Sequence, residues 1–124
     1  LVKCIQAGGL EILRAKGMAL GISTHSYAEL AAAAGIKPSY ISMGPVFGTS
    51  SKKVAFDPQG LAIVARWRKL IDPDIPLVAI GGIGDPETAR AVKFAGADCV
   101  AVIGAVTKAD ELAVAVERLN DAMV

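Results

Sequence analysis

Short apolar runs and longer amphipathic stretches take turns along the chain, about 20 residues from one run to the next where the spacing is clearest. The runs 19–23, 40–43, 77–80 and 99–103 are rich in aliphatic residues and show little polar alternation. Strands of that kind suit a parallel sheet covered on both faces, where each side must be apolar. The stretches between them carry helix signals. Ser26 and Glu29 have capping-box spacing ahead of an alanine-rich helix that Gly35 can end. Asp57-Pro58 and Asp85-Pro86 each set a capping acid before a proline suited to a first turn, which predicts helices over 58–71 and 86–95. A further helix is expected over 9–16, and a last one, capped by Asp110, runs to about Met123. Residues 1–6 read as the remnant of another strand.

A βα repeat with right-handed crossovers closes into a barrel or opens into a doubly wound sheet. The polar and glycine positions separate the two. Ser23-Thr24-His25, the segment from Gly44 to Lys53, Gly81-Gly82-Ile83-Gly84 and Gly104-Ala105 all lie just beyond the C-terminal ends of strands. That end is the functional face of a (β/α)8 barrel. The fold class is therefore α/β, a parallel (βα) repeat of about four units, with 1–124 forming one partial barrel domain.

Composition narrows the partners. Thirteen basic against twelve acidic residues leave a net charge of +1 without a basic block, so nucleic acid is not an expected partner. The hydrophobic share of 53% is high, yet no apolar run is long enough to span a bilayer, so no membrane is expected either. Cys4 and Cys99 lack metal-ligand spacing, and Cys99, inside the apolar run, reads as a buried thiol of a cytoplasmic protein. The first residue is Leu1 rather than Met, which suggests a processed or truncated polypeptide.

The candidate chemistry is anion binding. Gly44-Pro45-Val46-Phe47-Gly48-Thr49-Ser50-Ser51-Lys52-Lys53 combines glycines that admit close backbone approach, three adjacent hydroxyls and two lysines. Gly81-Gly82 and Gly104 add two further places where backbone amides can meet a phosphate. Neither matches a dinucleotide fingerprint or a Walker loop. His25, the sole histidine, reads as a structural group rather than a proton carrier.

Together these segments resemble the thiamine-phosphate synthases, which join a pyrimidine diphosphate to a thiazole phosphate on a (β/α)8 barrel. Gly21-Ile22-Ser23-Thr24-His25-Ser26 is similar to the family's Gly-Val-Ser-x-His segment, and Tyr40 to Lys53 to its Gly-Pro-x-x-x-Thr-x-Thr-Lys-Lys loop. Residues 79–83 and 101–106 match the two glycine-containing strand ends. The resemblance implies the C-terminal half of the barrel, with the N-terminal half absent from this chain and the open barrel edges covered by that missing half or by self-association. It implies phosphorylated small-molecule substrates and Mg2+, for which no metal ligand is assigned in this chain. It also implies that Lys52 holds the pyrimidine diphosphate and acts catalytically, that Ser23 touches the same substrate, and that Thr49, Ser50, Ser51, Gly82, Ile103 and Gly104 bind the thiazole phosphate. Ser51 stands in place of a second threonine, and Gly104 in place of a common serine. The sister thiazole tautomerases carry a histidine where this chain has Pro45. They remain an alternative, as does a non-catalytic module that binds phosphate or a partner.

Overall fold

The computed structural model describes residues 9–48 and 57–124. Helix α1 (Gly9–Ala15) leads into strand β1 (Gly21–Thr24), α2 (Tyr27–Ile36), β2 (Tyr40–Met43), α3 (Gly60–Leu70), β3 (Leu77–Ile80), α4 (Pro86–Phe94), β4 (Cys99–Ala101), the short α5 (Gly104–Thr107) and α6 (Leu112–Met123). All neighbouring strands are parallel and the sheet order follows the sequence, β1-β2-β3-β4. This is the arrangement of half a (β/α)8 barrel.

Register sorts the side chains into two faces. Ile22, Ile41 and Leu77 align across the sheet, as do Thr24, Met43, Ala79 and Val100. These rows meet the helices: Ile41, Met43, Leu77 and Ala79 are fully buried together with Val64 and Trp67 of α3 and Ala89 and Val92 of α4. Burying one such side chain contributes about 1.5–3 kcal/mol, so this layer holds the half-barrel together. The alternate row, Ser23, Ser42, Val78 and Cys99, lies on the other face, which would be the interior of a closed barrel.

Two strands differ from expectation in their bounds. β1 begins at Gly21 rather than 19, because Leu20 is held by Ser39 instead: its N–H donates to Ser39 Oγ at 2.9 Å and its carbonyl accepts the Ser39 N–H at 2.8 Å. β4 stops at Ala101 rather than Ile103. Its partner β3 ends at Ile80, where Gly81 turns the chain at a φ of 97°, so Val102 and Ile103 have no strand beside them.

The caps are partly as expected. Ser26 accepts the Glu29 N–H at 3.2 Å, and Asp85 forms a full capping box with Thr88, with Pro86 in the first turn. Gly35 does not end α2; Lys37 does, in the left-handed conformation at φ 52°. Nor does Asp57 cap α3. The Gln59 and Gly60 N–H groups donate to Pro45 and Val46 carbonyls at 2.9 Å each, so loop backbone satisfies the amides a capping acid would have taken. Asp110 is likewise displaced as a cap: α6 starts one residue later, behind Glu111. Cys99 is exposed, against the expectation of a buried thiol, because it lies on the open face of an edge strand; Cys4 falls outside the described residues.

Candidate phosphate-binding site

The C-terminal ends of all four strands open into one cavity of about 580 Å³. β1 contributes Ser23, Thr24 and His25, β2 contributes Ser42, Gly44 and Pro45, β3 the turn 80–84, and β4 the segment 101–105, with Lys108 at the rim. Four of the sequence-derived site residues, Ser23, Gly82, Ile103 and Gly104, therefore line a single space. Thr49, Ser50, Ser51 and Lys52 lie outside the described residues.

Backbone bonding explains why these loops converge. After Gly44, whose bond to Pro45 is cis, the chain folds onto the end of β3: Val46 N–H donates to the Ile80 carbonyl at 2.9 Å and Phe47 N–H to the Gly81 carbonyl at 3.0 Å. The returning chain is tied to the same place through Gln59 and Gly60, as above. Gln59 Nε2 also donates to the His25 carbonyl at 2.7 Å, joining the end of β1 to the start of α3. The described chain is thus tied beside the cavity both before residue 49, at Val46 and Phe47, and after residue 56, at Gln59 and Gly60.

Gly81 and Gly82 are required where they stand. Both have positive φ, 97° and 69°. A Cβ on Gly81 would lie 2.7 Å from Pro45 Cα, and one on Gly82 would lie 2.5 Å from the Gly48 carbonyl oxygen. The two glycines let the β2 and β3 loops touch.

On the opposite wall α5 makes one turn, and Lys108 closes it by donating its N–H to the Gly104 carbonyl at 3.2 Å. Lys108 is the only lysine or arginine among the described lining residues. His25 lines the cavity too, and its Nδ1 lies 3.3 Å from Glu29 Oε2. The His25 backbone N–H, which donates to the Glu29 carboxylate, holds that carboxyl below its ordinary value, and the His25 ring adds to the effect. The histidine is thus oriented by α2 while facing the site.

Sequence reasoning missed Ser42 and Lys108. Ser42 carried a signal, a hydroxyl between Ile41 and Met43 in a strand otherwise built for the core. Lys108 could be found only once Gly104 was known to begin a helical turn.

The described residues hold no group of three or more His, Cys, Asp or Glu side chains suited to a metal ion. Two of the aspartates are engaged elsewhere: Asp85 caps α4, and Asp98 accepts from Arg68 Nη1 and the Leu77 N–H at 2.8 Å each. The cavity as described combines apolar side chains, the Ser23, Thr24 and Ser42 hydroxyls, glycine backbone and a single lysine, Lys108.

The family model for thiamine monophosphate synthase matches residues 6–106. The chain belongs to that family. A thiamine-phosphate synthase of Salmonella newport strain SL254 is 41% identical over 94% of this chain and 54% of its own length. One from Yersinia pestis strain Pestoides F is 43% identical over 86% of this chain and 49% of its own. Among solved structures, the thiamine phosphate pyrophosphorylase of Pyrococcus furiosus superposes with a TM-score of 0.74 and 31% identity, over 92% of this chain and 54% of that one. Orotidine 5'-phosphate decarboxylase from Pyrococcus horikoshii OT3, at 15% identity and a TM-score of 0.66, shares the fold alone. The chain spans about half the length of the curated relatives it matches.

Proposed function

We propose that the chain forms the C-terminal half of a thiamine-phosphate synthase, a transferase that joins 4-amino-2-methyl-5-(diphosphooxymethyl)pyrimidine to thiazole phosphate and releases pyrophosphate. The observation that carries this reading is the meeting of Ser23, Gly82, Ile103 and Gly104 in one strand-end cavity of a member of that family. Backbone amides at Gly82 and Gly104, with the hydroxyls of Thr49, Ser50 and Ser51, hold the thiazole phosphate. Ser23 holds the pyrimidine. Lys52 neutralises the departing pyrophosphate as the carbon–oxygen bond breaks, and the thiazole nitrogen then bonds to the exposed methylene carbon. Little proton transfer is needed, in keeping with a site whose only histidine is tied to Glu29.

Magnesium is implied by the family resemblance, but the described residues offer it no ligand set, and no step here is assigned to it. No helix among the described residues is long and apolar enough to cross a membrane. A cytoplasmic location suits a chain of this kind acting on phosphorylated metabolites. Residues 1–124 form one partial barrel domain, and its open face is covered either by four further βα units or by a second copy. Among the described strands β1 and β4 each have one unpaired edge, and Ile80 and Ile103 stand 40% and 60% exposed beside the cavity.

The test is to incubate the full-length protein, including whatever covers the open face, with both substrates and magnesium and to follow pyrophosphate. Release above background supports the proposal; binding without turnover points to a non-catalytic module, and neither binding nor release contradicts both. In the active protein Lys52→Ala lowers turnover by roughly a hundredfold or more, the scale for losing one charge-stabilising donor. Lys53→Ala has a smaller effect, and equal losses would undo the assignment of Lys52.

A further inference from the structure

Ser23 and Ser42 are register partners on β1 and β2, on the open face that lines the cavity. Ser42 Oγ donates to Ser23 Oγ at 3.0 Å. Ser42 is only 7% exposed, and Thr24 Oγ1 donates to its carbonyl at 2.9 Å, fixing the backbone beneath it. A hydroxyl this buried, with Val78 as its other register neighbour, is unfavourable unless it makes such a bond. What the hydroxyl gains is control of its neighbour.

A serine hydroxyl has one proton and two lone pairs. With the Ser42 proton on the Ser23 oxygen, the Ser23 proton is left to turn into the cavity. Accepting a hydrogen bond also polarises Ser23 and strengthens it as a donor. We infer that Ser42 is a positioning residue, which directs the Ser23 hydroxyl as a donor toward a ring nitrogen of the aminopyrimidine. The inference rests on the proposed function, since it takes Ser23 to face the pyrimidine diphosphate.

Calorimetric titration of the full chain with 4-amino-2-methyl-5-(diphosphooxymethyl)pyrimidine, and separately with thiazole phosphate, tests it. Ser42→Ala should weaken pyrimidine binding about three- to tenfold and leave thiazole phosphate binding unchanged. Ser42→Thr, which keeps the hydroxyl, should restore most of the affinity. In a Ser23→Ala background, Ser42→Ala should add no further loss, because the two hydroxyls act through one contact. Where Ser42→Ala fails to fold by circular dichroism, Ser42→Cys, a weaker donor of similar size, carries the same expectation. Unchanged pyrimidine affinity, equal loss for both ligands, or additive losses in the double variant would overturn the inference alone. A wild-type chain that binds neither ligand would overturn the reading of the site, and this inference with it.

Discussion

At Gly82 the backbone adopts a φ of 69° with the Gly48 carbonyl and the Phe47 side chain packed where a Cβ would project. Gly82→Ala therefore combines left-handed strain with a clash against backbone, and should destabilise the fold by about 1–3 kcal/mol. It should also weaken phosphate-ester binding at least tenfold by pushing the Gly48 loop from β3; thermal unfolding and ligand titration read the two effects. The glycine pair was legible in the sequence as a tight, phosphate-compatible turn. What could not be read was the partner, since the contact joins residues more than thirty positions apart. Cys99 shows the same limit in reverse. Its apolar neighbours pointed to burial, but the register puts it on the face that the described strands leave open.

Among the elements, α4 has the best-defined start. The Asp85 carboxylate accepts the Thr88 N–H at 2.8 Å, and that bond holds its carboxyl below the ordinary aspartate value. A depressed folded-state value means that the stabilisation is complete above the unfolded-state value and fades as pH falls through the folded one. Asp85→Ala should therefore lose about 1 kcal/mol near neutral pH. The gap from wild type should shrink below about pH 4, as denaturant midpoints across pH would show. The Asp85-Pro86 signal was legible because every part of it is local. The false cap at Asp57 looked just as good locally, but loop backbone reached the Gln59 and Gly60 amides first. Arg68 was not legible at all. Its guanidinium donates to the Ile71, Asp72 and Ile75 carbonyls and to Asp98, locking the α3–β3 turn to the start of β4. The exposed ion pair adds little by itself, so the carbonyl bonds carry the effect. Arg68→Met should cost about 1–3 kcal/mol by chemical denaturation, and Arg68→Lys should recover less than half, because one ammonium cannot span four acceptors.

For the whole molecule, the repeat of apolar runs was enough to give a parallel βα sheet, and two of the four strands, 40–43 and 77–80, keep their expected bounds. The order of polar segments was enough to bring them together at the strand ends, since in a parallel sheet every such loop emerges on one side. Register was the part that sequence could not supply. It puts Ser42 against Ser23, and the turn of α5 sets Lys108 beside Gly104. The strand-end cavity is proposed as the phosphate-ester site of a thiamine-phosphate synthase half-barrel. Titrating the isotopically labelled full chain with thiazole phosphate, while recording amide nitrogen–proton correlation spectra, tests it most directly. Saturable shifts are expected at the Gly82, Ile103 and Gly104 amides, with α6 unaffected. Shifts confined to the outer face of α6 around Leu112 and Val116, or none at millimolar ligand, would contradict that assignment.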